Sequence, residues 1–211
     1  MKQIAVSIHA IQEFKPEIIK NLEGLDYIHV DVMDGKFVSN KNNNLNVFAI
    51  IKETYDIPII AHLMVTNPFQ YIKKIINSID FFVFHFEINY SINKIIKEVR
   101  KNNKKVGLAI NPETSVYEIL PYLDKIDLVL VMSVNPGWSG QRFIPQTVKK
   151  VDQLAEFKNI HNFFIDIDGG INLTNARLLK NTDILTSSSF ILENENPNRI
   201  IKFLRESDEN I

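Results

Sequence analysis

The chain has 211 residues, of which 45% are apolar, and its 24 basic and 25 acidic side chains give a formal net charge of −1. That length suits one α/β barrel, and the balanced charge offers no electrostatic reason to bind nucleic acid or an anionic membrane. The absence of cysteine excludes disulfides, thiolate metal sites and a catalytic thiol. The N-terminal stretch is too short and too polar for a signal peptide or a membrane span, so we expect a cytoplasmic protein.

Short apolar runs, typical of buried strands, alternate with stretches of helical periodicity. In chain order we predict strands near Ile4–Ile8, Tyr27–Val32, Ile59–Met64, Phe81–Phe86, Val106–Ile110, Leu128–Met132, Phe163–Ile167 and Ile184–Ser187. We predict helices at Pro16–Leu22, Asn46–Glu53, Pro68–Ile76, Ile92–Arg100, Val116–Leu123, Pro145–Phe157, Thr174–Leu179 and Pro197–Leu204, with Ser91, Thr114 and Thr174 as candidate caps. Eight strand–helix pairs with no linker between them favour a single α/β domain over residues 1–211, a TIM (β/α)8 barrel. A doubly wound sheet has a similar alternation of strands and helices.

Polar side chains lie at the carboxyl ends of the predicted strands, the rim that carries the active site in a TIM barrel. The first strand ends in Ser7, and the third carries His62. The second strand carries His29 and Asp31, which point the same way because side chains alternate along a strand. The seventh strand ends in Asp168. A barrel would therefore bring these residues to one rim.

The loops after the sixth and seventh strands are rich in glycine. They contain Gly137, Gly140, Gly169 and Gly170, four of the seven glycines in the chain. Glycine lets backbone N–H groups approach an anion closely, and TIM barrels commonly bind phosphate in this region. Since the chain has no general basic field, a phosphorylated substrate would be held by such local dipoles.

His29, Asp31, His62 and Asp168 form a candidate set of metal ligands. Imidazole nitrogens and carboxylate oxygens suit one divalent ion, and ligand type alone does not choose between Zn, Fe, Mn and Co. Each residue also has a purely structural interpretation, as a hydrogen-bonded core histidine or as a turn aspartate before two glycines. The metal site is favoured only jointly, because a barrel would bring the strand ends together.

Several motifs follow one another over most of the chain. They are Ile28–Val38 (IHVDVMDGKFV), Ala61–Val65 (AHLMV), Phe84–Glu87 (FHFE), Gly107–Pro112 (GLAINP), Met132–Gly137 (MSVNPG), Gly140–Phe143 (GQRF) and Asp168–Gly170 (DGG). In these stretches the chain resembles the ribulose-phosphate 3-epimerase family. The resemblance implies a metal-dependent isomerase of pentose phosphate metabolism that epimerises a ketose phosphate at C3, converting D-ribulose 5-phosphate to D-xylulose 5-phosphate through an enediolate.

The resemblance also implies roles for individual residues. The family binds one divalent metal ion at the positions of His29, Asp31, His62 and Asp168, and uses the positions of Asp31 and Asp168 as acid and base. Substrate contacts are expected from Ser7, His62, Gly137, Trp138, Ser139, Gly140, Gly169, Gly170, Ser188 and Ser189.

Other residues are expected to act around this site. The family's methionines over the active site correspond to Met33, Met64 and Met132. His85 and Glu87 lie on one side of the fourth strand and are expected to have a supporting or structural role. Family members are commonly oligomeric, so we expect a homo-oligomer. We expect it to bind a small-molecule ketose phosphate.

The chain departs from the family pattern around the substrate. His9 replaces an apolar residue, and its imidazole either lies outside the site or touches substrate. Trp138 and Ser139 alter the glycine-rich loop, and Ser188-Ser189 replaces Gly-Ser. These changes leave open a 3-epimerase of another phosphorylated ketose, such as allulose 6-phosphate or a sugar in a dedicated glycan pathway, and an inactive sugar-phosphate-binding homologue. A TIM-barrel aldolase or decarboxylase is a weaker alternative, because the predicted strands place no Schiff-base lysine at their ends.

Overall fold

The computed structural model describes residues 1–208, which form a closed barrel of parallel strands surrounded by helices. The strands are β1 Gln3–His9, β2 Tyr27–Asp34, β3 Lys41–Asn42, β4 Ile59–Met64, β5 Phe81–His85, β6 Lys105–Ile110, β7 Leu128–Met132, β8 Phe164–Asp168 and β9 Ile184–Ser187. Pairing of β1 with both β9 and β2 closes the sheet, which confirms the TIM barrel and excludes the open doubly wound alternative. The short β3 pairs antiparallel with the end of β2 and is not one of the eight strands of the barrel.

Most helices lie close to their predicted positions, but the short helix Ser189–Leu192 was not predicted. The helices are α1 Glu17–Lys20, α2 Asn46–Thr54, α3 Phe69–Ile75, α4 Ile92–Arg100, α5 Thr147–Phe157, α6 Leu173–Ala176, α7 Ser189–Leu192 and α8 Pro197–Arg205, with 3₁₀ turns at Ile76–Ser78 and Val116–Lys125. The predicted α-helix at Val116–Leu123 was wrong in type, since Pro121 lies inside that segment and cannot donate a helical hydrogen bond. Within residues 1–208, no helix is both long and apolar enough to cross a lipid bilayer.

The helix caps were predicted less well than the helices. Ser91 stands at the start of α4 but makes no capping hydrogen bond through its side chain. Ser115, and not Thr114, caps the 3₁₀ segment, because Thr114 instead donates its hydroxyl to Glu87. Asn172, and not Thr174, caps α6 by accepting from two backbone N–H groups.

Alternation along the strands divides the core into two layers. On β2, Ile28, Val30 and Val32 face the helices and belong to the large core between the barrel and its surrounding layer. Tyr27 lies on the opposite side, in the apolar core inside the barrel. His29 and Asp31 continue that inward series, so the alternation directs them to the barrel axis.

Four aspartates at the amino end of the barrel bind neighbouring strands together. One aspartate stands directly before each of β2, β5, β7 and β9, which are every second strand of the barrel. Its Oδ2 accepts a backbone N–H from the preceding barrel strand. The pairs are Asp26 with Ile4 at 2.7 Å, Asp80 with Ile59 at 2.9 Å, Asp127 with Val106 at 2.7 Å and Asp183 with Ile165 at 2.7 Å. The backbone N–H of each aspartate donates in return to the same residue's carbonyl. This structural repeat, which the sequence analysis missed, fixes strand pairing at the end of the barrel remote from the predicted site.

We expect Asp80→Ala to lower the free energy of unfolding by about 1–3 kcal/mol, because it leaves the N–H of Ile59 without its side-chain acceptor. Asp56→Ala is the matched control, since Asp56 is exposed near the same end of the barrel and should change stability by no more than about 0.5 kcal/mol. Urea denaturation measures both. Equal stability of the two variants would show that the aspartate repeat does not support the barrel.

Candidate active site

Four side chains from three strands meet at the carboxyl end of the barrel. Asp31 on β2 is paired in register with His62 on β4, and its Oδ1 lies 2.8 Å from His62 Nδ1 and 3.2 Å from His29 Nε2. Asp168 at the end of β8 brings its Oδ2 to 3.7 Å from His29 Nε2. This group was predicted from the sequence, and the barrel brings its four members together.

The group has the donor set and spacing of a metal site. One ligand atom from each of His29, Asp31, His62 and Asp168 lies within 4.8 Å of the others. Ligands around a tetrahedral zinc ion would be separated by roughly 3.3 Å, given bond lengths of about 2.0–2.1 Å. Two imidazoles and two carboxylates therefore fit one divalent ion of the borderline class.

The site is largely shielded from water. The His29 and His62 side chains are 0% exposed, Asp31 is 8% exposed and Asp168 is 13% exposed. Burial lowers the pKa of His62 to about 4. Burial also acts to lower the pKa of His29, but the Asp31 carboxylate outweighs it and raises that pKa to about 9.

The two aspartates are driven in opposite directions. Burial opposes ionisation of Asp31, yet the adjacent His29 holds the Asp31 pKa well below its usual range. At Asp168 burial prevails and, with the like charge of Asp31, raises the pKa to about 8. Without an ion the site thus holds one ionised and one protonated carboxyl at neutral pH.

A chain of hydrogen bonds runs from His62 away from the site. His62 Nε2 lies 2.9 Å from His85 Nε2, and His85 Nδ1 lies 3.2 Å from Glu87 Oε2. The other oxygen of Glu87 accepts the backbone N–H of Asn111 at 2.7 Å and the hydroxyl of Thr114. Glu87 is therefore fixed in place and, despite partial burial, these donors hold its pKa below the usual value.

This chain selects the tautomer that a metal ligand needs. A carboxylate at Glu87 requires a proton on His85 Nδ1, which leaves His85 Nε2 as an acceptor. If His62 is neutral, its proton is then on Nε2, and its Nδ1 lone pair faces Asp31 Oδ1 at 2.8 Å. Two acceptors at this distance repel each other, and a cation bound between them would remove that repulsion. The placement supports the expected supporting role of His85 and Glu87, because the other ring nitrogen of a ligand histidine is commonly held this way.

A cavity opens above the four side chains. All the predicted substrate contacts line it except His62, which lies buried behind Asp31; Met64, Met132 and Met33 also line it. Ser7 donates to Asp31 Oδ2 at 2.8 Å, so one hydroxyl touches both a proposed ligand and the cavity. No lysine or arginine is among the residues that line this cavity.

The loops around the cavity are packed so closely that glycine is required. A Cβ at Gly169 would lie 2.5 Å from Val134, and one at Gly170 would lie 2.7 Å from the carbonyl oxygen of Gln141. Both glycines also have positive φ. Ser133 holds the same turn by donating to the carbonyls of Asp168 at 2.9 Å and Gly169 at 2.7 Å. These contacts fix Asp168 at the rim.

Some residues around the site were missed from sequence. Thr186 lines the cavity and donates to Asp166 Oδ1 at 2.8 Å. Asp166 lies beneath Asp168 on the same side of β8, and burial raises its pKa to about 6. The signal available was the Asp-Ile-Asp spacing, which repeats the inward alternation of His29 and Asp31. His9, whose position the sequence left open, also lines the cavity, where its Nε2 lies 2.6 Å from Ser139 Oγ.

Comparisons with known proteins agree with this geometry. The model of the ribulose-phosphate 3 epimerase family matches residues 3–191. A ribulose-phosphate 3-epimerase of Bacillus subtilis is 32% identical over 197 residues, 90% of this chain and 91% of that protein. One from Chlamydia pneumoniae is 34% identical over 183 residues, covering 82% of this chain and 80% of that protein. Among solved structures, 3-hexulose-6-phosphate synthase from Salmonella typhimurium has a TM-score of 0.71 at 12% identity, covering 97% of each chain, which shows a shared fold alone.

Glu87→Gln should weaken divalent metal binding by about 10- to 100-fold, because loss of the carboxylate charge removes the preference for the ligand-ready tautomer of His62. Competition with a chromogenic chelator measures the affinity for Mn²⁺. Glu98→Gln, on the outer surface, is the control and should leave the affinity unchanged. Equal affinities in both variants, with the fold intact by circular dichroism, would contradict the tautomer argument.

Metal binding should release protons at pH 7, since His29 with its pKa near 9 and Asp168 with its pKa near 8 are protonated without an ion. Their raised pKa values also predict that metal affinity rises from pH 7 to pH 9. Titration calorimetry in two buffers of different ionisation enthalpy counts the protons released. A binding enthalpy independent of buffer would overturn this prediction.

Proposed function

The chain belongs to the ribulose-phosphate 3-epimerase family, whose members are isomerases that epimerise a pentose phosphate, and we propose that it interconverts D-ribulose 5-phosphate and D-xylulose 5-phosphate at C3. The observation that carries this proposal is the placement of Asp31 and Asp168. Both line the same cavity, and they project from β2 and β8, which β1 and β9 separate around the barrel. The two carboxyls therefore reach the cavity from different sides.

Epimerisation needs that arrangement. A proton must leave the carbon next to the carbonyl on one face, and another must reach the same carbon on the opposite face. One carboxyl must be ionised to accept the first proton, and the other must be protonated to deliver the second. Asp31 and Asp168 are the two carboxyls that line the cavity, and the reverse reaction exchanges their roles.

We propose that His29, Asp31, His62 and Asp168 hold one divalent ion, of Zn, Fe, Mn or Co. Bound there, such an ion would act as a Lewis acid that stabilises the negative charge developing on the substrate oxygens when C3 loses its proton. Ser7 orients Asp31 through its Oδ2, which leaves Oδ1 toward the two imidazoles. The methionines Met33, Met64 and Met132 line the cavity and limit the access of water to the reacting carbon.

The phosphate end of the substrate is assigned to the loops after β7, β8 and β9. The proposed contacts are Gly137, Trp138, Ser139, Gly140, Gly169, Gly170, Ser188 and Ser189. Since the residues that line the cavity include no lysine or arginine, backbone N–H groups and serine hydroxyls would bind the dianion. His62 is fully buried behind Asp31, so its predicted role in substrate binding would be exerted through Asp31.

The serines at the phosphate end favour a second candidate substrate. Ser188-Ser189 stands where the family has Gly-Ser, and both residues line the cavity. A shifted pose would suit another phosphorylated ketose, such as allulose 6-phosphate or a sugar of a dedicated glycan pathway. Retention of both carboxyls argues against an inactive sugar-phosphate-binding homologue. We propose further that the protein is a cytoplasmic homo-oligomer that binds neither nucleic acid nor membrane, in keeping with a metabolic enzyme family.

Asp31→Asn and Asp168→Asn should each lower turnover by at least about 10²- to 10⁴-fold, because each removes one of the two proton-transfer groups. Incorporation of solvent deuterium at C3 of D-ribulose 5-phosphate, followed by NMR at saturating Mn²⁺, measures the reaction. Asp124→Asn, an exposed surface change, should leave the rate unchanged. Near-normal rates in both site variants would exclude the two-carboxylate mechanism.

Comparison of kcat/KM for D-ribulose 5-phosphate and allulose 6-phosphate decides between the two substrates. A higher value for the pentose phosphate supports the main proposal, and a higher value for the hexose phosphate supports the alternative. Failure of the wild-type protein to exchange deuterium into either sugar would identify it as an inactive homologue.

A further inference from the structure

His9 lies over the cavity at the carboxyl end of β1. It follows Ser7 by two residues, so both side chains are on the inner side of the strand. The ring is half-buried and lines the same cavity as Asp31 and the phosphate-end loops. Where the family resemblance implies an apolar side chain, this chain therefore presents two ring nitrogens to the rim of its site.

Both ring nitrogens have polar neighbours. Asn42 Nδ2 lies 3.3 Å from His9 Nδ1, and His9 Nε2 lies 2.6 Å from Ser139 Oγ. Because the Asn42 amide nitrogen can only donate, Nδ1 is the acceptor and the ring proton belongs on Nε2. Nε2 then donates to Ser139 Oγ, which leaves the hydroxyl hydrogen of Ser139 free to donate to a third group.

The backbone of Asn42 is held in place by the sheet. It belongs to β3, where it pairs in register with Met33 at the end of β2. Met33 is fully buried and lines the cavity. The donor that orients His9 is thus attached to the barrel strand that carries His29 and Asp31.

The segment that His9 reaches, Trp138–Gly140, has few other contacts, although Asn40 Nδ2 donates to the carbonyl of the neighbouring Gly137 at 2.5 Å. Gln141 donates to the carbonyls of Asn135 and Trp138, but these bonds are internal to the loop. Among residues 1–208, the bond from His9 to Ser139 is the one side-chain hydrogen bond that joins Trp138–Gly140 to the rest of the barrel. Trp138 is 66% exposed, and a Cβ at Gly140 would meet no atom within 4 Å. Packing therefore contributes little to the position of this segment.

We propose that His9 is a positioning residue that bridges the mouth of the cavity and holds Ser139 where its hydroxyl donates to an oxygen of the phosphorylated ketose. Asn42 sets the tautomer of His9, His9 holds Ser139, and Ser139 contacts the ligand. The contact with a ketose phosphate rests on the proposed function. The bridge itself does not, because it is present in the protein without substrate.

Trp138 reports on the bridge directly, since it is the one tryptophan in the sequence and is next to Ser139. Time-resolved fluorescence anisotropy of the substrate-free protein measures the local motion of its ring. We expect faster local motion in His9→Leu and Ser139→Ala than in wild type. His9→Gln should restore the wild-type decay, because its amide can still donate to Ser139. His161→Leu changes a histidine on the outer surface and serves as the matched control.

The kinetic test separates positioning from catalysis. His9→Leu should raise KM for D-ribulose 5-phosphate about tenfold while kcat stays within about threefold, because the carboxyls are untouched. The double variant His9→Leu/Ser139→Ala should be no worse than Ser139→Ala alone, since both changes remove one interaction.

Unchanged Trp138 motion in His9→Leu, or effects of the two changes on KM that simply add, would overturn the proposal. A wild-type protein that does not turn over D-ribulose 5-phosphate would contradict the proposed function instead. The anisotropy result would still decide whether His9 positions the loop.

Discussion

Closure of the barrel forces the polar residues of the site together. The pairing of β1 with β2 leaves the inner side chains of the strands no access to the outer helical layer. At the carboxyl end of the barrel the inward positions of β2 are His29 and Asp31, and those of β4 and β8 are His62 and Asp168. An open sheet would let these groups separate and become hydrated. In the closed barrel they must share one small and poorly solvated space.

That confinement explains the electrostatics of the site. Four ionisable groups with little access to water cannot all be charged, because burying an unpaired charge costs several kcal/mol. The site without an ion responds by pairing His29 with Asp31, keeping His62 neutral and leaving Asp168 protonated. The proposed metal affinity and the proposed acid–base chemistry would thus have the same origin. The opposite end of the barrel has a different task, since its four aspartates bind strand to strand and line no cavity of the site.

Much of this arrangement was predictable from local pattern. The strand positions follow from apolar runs, and the shared direction of His29 and Asp31 follows from strand alternation. Interactions between distant segments were not predictable. The bond between His9 and Ser139 joins the end of β1 to a loop 130 positions further along the chain, so no local spacing indicates it. Family resemblance pointed to His9 only as a departure, and left open whether its ring reached the site.

The aspartate repeat was missed for a related reason. Asp26, Asp80, Asp127 and Asp183 each stand just before a strand, but their partners lie on the preceding strand and become visible only when the sheet is formed. The type of the Val116–Lys125 segment was missed because amphipathic spacing outweighed Pro121 in the prediction. Local pattern therefore predicted the elements and the four side chains that the barrel brings together, while contacts between loops and strand ends required the three-dimensional structure.

We propose that His29, Asp31, His62 and Asp168 share one ion beside the carbon that reacts. Anomalous diffraction at the zinc edge, from crystals grown with Zn²⁺, tests it most directly. We expect one strong peak at the base of the cavity, about 2.0–2.2 Å from a nitrogen of each histidine and an oxygen of each aspartate. A peak bonded to only some of the four, or no peak at this position with the metal bound elsewhere, would contradict it.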